Sequence, residues 1–505
     1  MAIETELKLS IAPEQLARLK RHTLLKQHQV ARPVTRRLYN IYYDTPKLEL
    51  QKAAMALRLR RVGRQWLQTL KGGGVVKAGM HQRNEWEVPV SRAALDFSAL
   101  QAAEWDEYLP LSLRKKLRPV FVTDFFRNSR MLEWQGAQIE LCIDHGVVCT
   151  EQNSTPICEL ELELKAGEPR QLFELALALL EIVPFELETV SKAERGYRLL
   201  SGHVEKPVKA VVPEGAKTDA LAIVLQKLLW SCMAHLQGNL HGAMTSNDAE
   251  YLHQVRVALR RLRVLLRMTE KLCADERLNG LIKEVAALCV ELGQIREWDV
   301  FVDQTLRPVC ARMPEHAGLQ VVLEVSERQR NECYARLRGD ALARELQRLI
   351  LYFALWMNGQ YWQQQGKIAP SARDFAEHHL RRLAKRFNRS VRHLDAADAV
   401  QLHALRIVVK KLKYSAEFFA MLYGKRKAHS YLAGLSEVQE VLGQINDVAV
   451  AHRMLEEFRQ CRELATQHEA VALVKGWIAH ELSRLFRALR HAVRHFDRQA
   501  AFWER

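Results

Sequence analysis

Cysteine is sparse in this chain: nine in 505 residues, scattered, odd in number and without a C-x-x-C pair. That usage argues against a disulfide framework and against a thiolate zinc site, and it suits a reducing compartment. No apolar run is long enough to span a bilayer. The N-terminus lacks the basic-then-apolar plan of a signal peptide. A cytoplasmic protein without a membrane partner is expected. A phosphate loop is missing too. Lys71-Gly72-Gly73-Gly74 has no following G-K-[S/T] and no helix after it, so a flexible turn is expected there.

What is present is length and uneven charge. A chain of 505 residues exceeds what one core supports, so two or three domains are expected. The first 205 residues carry 29 Lys and Arg against 26 Asp and Glu, and the remainder carries 46 against 33. The first part is balanced and the second is basic. A basic domain implies a polyanionic partner: nucleic acid, anionic lipid or polyphosphate.

The first part is built from period-two segments. Alternation along the opening strand puts Glu4, Glu6 and Lys8 on one face and Leu7 and Leu9 on the other. Arg58 and Arg60 share a strand face opposite Leu57 and Leu59. Lys71 ends another strand. Arg83, Glu85 and Glu87 share a face, Arg127 sits on a further strand, and Asp144 alternates with Ile143. In Glu159-Leu160-Glu161-Leu162-Glu163-Leu164-Lys165 the acids share one face and the leucines the other. A helix follows from Pro169 to about Val183, and Ser191-Lys192 opens the closing segment.

An ordinary half-buried strand turns its charges to water, and any one of these strands fits that description. Solvent faces, however, mix in Ser, Thr and Gln and rarely repeat Glu-x-Glu and Arg-x-Arg. The economical arrangement is an antiparallel barrel with a helix-covered apolar exterior and a charged, wet interior. Desolvated ions each cost several kcal/mol, so that interior needs counter-charges. A chain of phosphates bridged to carboxylates by Mg²⁺ or Mn²⁺ supplies both signs at once.

This ordered set of residues resembles the CYTH, or triphosphate tunnel metalloenzyme, superfamily over residues 1–203. The resemblance implies that Lys8, Arg58, Arg60, Lys71, Arg127 and Lys192 grip triphosphate oxygens, with Arg83 an additional member. It implies that Glu4, Glu6, Glu161 and Glu163 hold one or two divalent metals, with Glu159, Asp144, Glu85 and Glu87 as further candidates. Glu4 or Glu6 would act catalytically by orienting the water that attacks the terminal phosphorus.

Residues 204–217 contain Pro207, Pro213 and Gly215 without periodicity and are expected to be a linker. From 218 to 505 prolines become sparse and 3.6-residue patterns take over, so this half is expected to be all helical. It contains a repeat at an offset of 150 residues. His253-Gln-Val-Arg256-Val-Ala-Leu-Arg260-Arg261-Leu-Arg263 aligns with His403-Ala-Leu-Arg406-Ile-Val-Val-Lys410-Lys411-Leu-Lys413, and Leu292-Gly293-Gln294-Ile295 with Leu442-Gly443-Gln444-Ile445. A duplicated helical bundle is the natural reading. His253, Arg256, Arg260 and Arg263 fall within about a quarter turn of a helix, and the second copy does the same. A solvated basic face is the plain explanation of one such stripe. No acidic partner one turn away is expected beside either stripe, and both begin with histidine, so a shared polyanion groove is the sharper one.

The second set resembles the CHAD domain, often fused to CYTH domains. That resemblance implies inorganic polyphosphate binding by His253, Arg256, Arg260, Arg261, Arg263, His403, Arg406, Lys410, Lys411 and Lys413. The fold class expected is α+β: an N-terminal antiparallel β-barrel tunnel with covering helices, then an all-α duplicated bundle. The function expected is metal-dependent hydrolysis of inorganic triphosphate, with polyphosphate as a second ligand. An adenylate cyclase or a thiamine or nucleoside triphosphatase would share the tunnel. A non-enzymatic polyphosphate or nucleic-acid binder is the other alternative. Nucleic acid is disfavoured because neither base-stacking aromatics nor a groove-entering helix is evident.

Overall fold

The structure, a computed structural model, describes residues 2–98, 109–216, 218–272, 275–359, 362, 371–395, 398–423, 425–458, 462–464 and 466–504. The chain forms two compact units: Met1–Lys206 with Arg344–Gly359, and Pro207–Ala343 with Gln360–Arg505.

Eight antiparallel strands close the first unit into a barrel. They are β1 (Ala2–Ser10), β2 (Val34–Asp44), β3 (Met55–Val62), β4 (Gln65–Lys77), β5 (Met80–Val90), β6 (Arg118–Trp134), β7 (Ala137–Cys149) and β8 (Ser154–Ala166). Their order is β5-β4-β3-β2-β6-β7-β8-β1, and β1 also pairs with β5, which shuts the ring. The opening strand is thus shared: Ala2–Leu7 run against β5 and Glu6–Ser10 against β8. A two-residue strand, β9 (Glu186–Leu187), adds to the end of β1.

Alternation decides which way each side chain points. Leu7, Leu9, Leu141, Leu160 and Leu162 are fully buried on the outer face. Helix Arg170–Leu180 covers β1 and β8 with Leu172, Phe173, Leu175, Ala176, Leu179 and Leu180. Each of these leucine and phenylalanine side chains contributes about 1.5–3 kcal/mol on burial, which fixes the register and turns the charged face inward.

The triple glycine is not a turn. Gly72–Gly74 lie inside β4, where the register to β5 shifts between Gly72 and Val75. Gly74 has φ +113°, and a Cβ there would sit 2.0 Å from the Gln82 carbonyl oxygen. The glycines therefore make a bulge that lets β4 and β5 meet. The turn falls at Ala78 and Gly79, both at positive φ.

Helix Lys192–Ser201 closes the unit. Ser191 caps it by accepting from the Glu194 N–H, and Gly202 ends it in the left-handed region. Gly196 lets the helix lie directly on the Phe121 ring, which stacks on Tyr42 and meets Tyr197 edge-on.

The second unit is helical, and its duplication is visible in the element ends. Helices Ala249–Thr269 and Ala399–Phe419 keep the 150-residue offset, and each starts at an aspartate cap, Asp248 and Asp398. Helices Glu276–Val300 and Lys425–Glu457 follow them. The first runs into a π-helical turn at Phe301–Leu306; the second continues unbroken. Residues 207–216, expected as a linker, are held to helix Leu221–Thr245. Asn239 accepts from the Val208 N–H and donates to its carbonyl, each at 2.9 Å, and Ser231 donates to the Val211 carbonyl at 2.5 Å. No described helix is long and apolar enough to cross a membrane.

Candidate active site in the barrel and basic face of the helical unit

The inward faces of the strands enclose a cavity of about 410 Å³. It is lined by Glu4, Glu6 and Lys8 of β1, Arg58 and Arg60 of β3, Lys71 of β4, and Arg83, Glu85 and Glu87 of β5. Arg127 of β6, Glu161 and Glu163 of β8, and Lys192 complete the set expected from sequence. Asp144 and Glu159 are buried just behind, both against Lys192. Sequence reasoning missed Arg36, Glu140 and Lys165, which also line the cavity. Glu140 shares strand parity with Asp144, and Lys165 with Glu163, so alternation alone carried that signal. Arg36 shares parity with Leu38 and Tyr42, and those apolar neighbours masked it.

The ions are paired in a graded way. Lys192 lies 2.6 Å from Asp144 and 2.9 Å from Glu161, and also contacts Glu159. Arg195, one turn on, pairs with Glu159 as well. Arg127 donates to both Asp144 oxygens at 2.8 and 2.6 Å, and to Glu161. Lys8 meets Glu6 at 2.9 Å and also Glu161. Lys71 holds Glu4 at 2.5 Å and Glu85 at 3.2 Å. Arg58 is 3.6 Å from Glu85. Among the described residues, Arg60 and Arg83 make no ion pair; Arg60 donates only to Asn40, at 2.9 Å.

Burial would raise the Glu161 pKa, but Lys192, Lys8 and Arg127 hold it well below the usual carboxylate range. Burial likewise works against the Asp144 carboxylate, yet Arg127 and Lys192 keep its pKa depressed. Arg60 is the opposite case: burial, with Arg58 and Arg127 close by, pulls its pKa down to about 10. A half-buried cation without an ion-pair partner is a site that an anion relieves.

Depressed acid pKa values favour folding above the unfolded carboxylate value, near 4. That contribution falls away as pH drops through the lower folded values. Thermal unfolding of the protein is therefore expected to hold level from pH 7 to about 5 and to fall steeply below pH 4. In Glu161→Gln the acid-side fall should be shallower from a lower starting point. An unchanged slope in that variant would show that Glu161 is not ionised and paired as described.

On the helical unit, the Arg256 guanidinium donates to the Leu292 and Gly293 carbonyls, each at 2.6 Å. The recurring Leu-Gly-Gln-Ile thus has a physical role in its first copy. His253 is half-buried, and burial together with Arg296 pulls its pKa down to about 4; His403 is exposed. Arg256, Arg260, Arg406 and Lys410 are half-buried, while Arg263 and Lys411 are exposed. The expectation that the stripes have no acidic partner fails at Glu417. It stands one turn beyond Lys413, at 3.8 Å, and pairs with Arg261. Arg261 is only 4% exposed and lies 4.7 Å over the Phe418 ring, turned from the stripe into the interior. A cavity of about 340 Å³ is lined by His253, Arg260, Arg261 and Lys413, among others.

Comparison with known proteins follows the same division. Residues 2–197 match the CYTH domain and residues 227–456 the CHAD domain. The inorganic triphosphatase of Haemophilus influenzae is 36% identical over 208 residues, which is 39% of this chain and 55% of that protein. The match therefore spans about half the length of that relative. An uncharacterized protein of Mycobacterium tuberculosis is 25% identical over 422 residues, 77% of each chain. The crystal structure of the CHAD domain from the plant Ricinus communis matches at a TM-score of 0.51 and 27% identity, covering 58% of this chain and 97% of that one. The chain thus joins a region that matches the CYTH domain, residues 2–197, to one that matches the CHAD domain, residues 227–456.

Proposed function

We propose that the barrel hydrolyses inorganic triphosphate to pyrophosphate and phosphate with a divalent cation, and that the basic face of the helical unit binds inorganic polyphosphate. One observation carries the first part: nine cationic and seven carboxylate side chains face a single cavity. A linear polyanion is the ligand that uses such a lining. Lys8, Arg58, Arg60, Lys71, Arg83, Arg127 and Lys192 hold its oxygens, and Glu4 or Glu6 orients the attacking water. Positioning and charge neutralisation then supply most of the rate. The Haemophilus influenzae relative, matched over a length close to that of the barrel unit, is an inorganic triphosphatase.

The donor set suits Mg²⁺ or Mn²⁺. Asp144, Glu159 and Glu161 each offer a carboxylate oxygen within 4.8 Å of the others, and hard oxygen ligands select such ions. Glu4, Glu6, Glu85, Glu87 and Glu163 supply more oxygens at the same cavity. Burial raises the Glu163 pKa; Lys165 opposes this, while Glu4 and Glu140 add to it, an excess of negative charge that a cation relieves. When bound, the metal neutralises phosphate charge and acidifies a water.

The test is phosphate release from tripolyphosphate, ATP, thiamine triphosphate and long-chain polyphosphate, each with Mg²⁺, Mn²⁺ or EDTA. Tripolyphosphate is expected to be cleaved at least about tenfold faster than the others, and EDTA to reduce release to background. Cyclic AMP formed from ATP would move the barrel to the cyclase reading. No release from any substrate would leave a binder of phosphate chains.

A further inference from the structure

One row of the barrel wall sets the place of Arg60. Arg60 of β3 stands directly opposite Asn40 of β2, and Asn40 directly opposite Thr123 of β6. Residues opposite one another across a sheet share a face, so all three point inward. Arg60 lines the cavity, while Asn40 and Thr123 are fully buried behind it. The Arg60 Nε donates to the Asn40 Oδ1 at 2.9 Å, and the Asn40 Nδ2 donates to the Thr123 Oγ1 at 2.9 Å. A guanidinium only donates, which fixes the amide this way round.

We propose that Asn40 is a positioning residue for the reaction of the barrel, holding the Arg60 guanidinium at the cavity through a neutral acceptor so that its charge stays available to the phosphate chain. The inference rests on the triphosphatase reading. The bond at Nε leaves both terminal nitrogens, which among the described residues make no hydrogen bond or ion pair. Two parallel N–H groups on that edge match two oxygens of one phosphate. Lys8, Lys71, Arg127 and Lys192 are anchored by carboxylates instead, so each divides its charge between an acid and a ligand. Arg60 has no such competitor: Glu87 acts on it only from beyond ion-pair distance.

Hydrogen bonding alone does not choose asparagine here. The Thr123 hydroxyl can turn and donate to a carboxylate as readily as it accepts from an amide. An aspartate would give up only the long 3.4 Å contact from Nδ2 to the Thr123 carbonyl. It has the same shape, and it would pair with Arg60. What asparagine provides is an acceptor without a charge.

Steady-state hydrolysis of tripolyphosphate with Mg²⁺ would be measured for the full chain, Asn40→Asp, Asn40→Ala, Arg60→Ala and the Asn40→Ala/Arg60→Ala double variant, with Tm checking that each is folded. Asn40→Asp is expected to raise KM at least about tenfold, because a guanidinium already paired binds phosphate less well. Asn40→Ala, which frees the guanidinium to turn, should lower kcat/KM about tenfold in the wild-type background and less than about twofold in the Arg60→Ala background. Equal losses in both backgrounds would mean that Asn40 does not act through Arg60, and would overturn the proposal. An unchanged KM in the isosteric Asn40→Asp overturns it too, and decides alone if Asn40→Ala does not fold. Cleavage absent in the wild type overturns the triphosphatase reading, and the proposal with it.

Discussion

Lys8→Ala is expected to lower tripolyphosphate turnover by at least about 10³-fold while leaving the barrel folded. The ammonium reaches Glu6 and Glu161 from the middle of β1, and it faces the cavity from which a phosphate chain would be held. Burial disfavours that charge, but Glu161 and Glu6 more than offset it and raise the Lys8 pKa above its ordinary value. The lysine is therefore charged at every working pH. Its removal has a second effect that is separable from the first. Two buried carboxylates lose a partner, and an uncompensated buried charge destabilises by about 3–5 kcal/mol. Glu161 keeps Lys192 and Arg127, which places the loss at the low end of that range. Thermal unfolding with and without Mg²⁺ separates the two effects. The divalent ion should recover part of the stability and none of the turnover. Full activity in Lys8→Ala would remove the tunnel from the proposed function.

Gly196→Ala should also be damaging to activity, though less so, from a residue that touches no substrate. A Cβ at Gly196 would lie 2.2–2.5 Å from three atoms of the Phe121 ring. That ring is stacked on Tyr42 at 4.6 Å between centroids and cannot retreat freely. The helix must lift instead, and Lys192 is its first residue. Overpacking of this kind costs about 1–3 kcal/mol. A displacement near 1 Å at a reacting centre is worth about 10²-fold in rate. We expect kcat to fall by that order with KM changing less, and a modest drop in Tm. A variant that unfolds no earlier and turns over normally would show that the position of Lys192 is not set by this contact.

The inward faces of the strands were readable because alternation is local: Glu159, Glu161 and Glu163 must share a side whatever they pair with. Which cation meets which acid was not readable. Lys8 reaches Glu161 only because β1 and β8 pair across some 150 residues, and nothing near either residue encodes that register. The triple glycine misled because its composition is that of a turn. Its role as a bulge depends on the Gln82 carbonyl of the neighbouring strand. In the helical unit the repeat and the stripes were plain, and the equal element ends follow from them. Arg261 looked like a stripe member, yet it is buried against Phe418 and Glu417, a contact between copies that periodicity alone does not carry. The helical pattern of Arg344–Gly359 likewise could not say that this segment groups with the first unit.

The seam of the barrel bears on how the protein is made. β1 leaves the ribosome before either of its partners, which begin at Met80 in β5 and at Glu159 in β8. At about 5–20 residues per second, the second partner follows about 8–30 seconds later. Through that interval β1 has an open edge, and its Glu4, Glu6 and Lys8 lack most of their later neighbours. Pairings so distant in sequence form slowly in any case. The charged lining therefore comes together only at the last step of closure, and a chain halted before about residue 163 has no site to release prematurely.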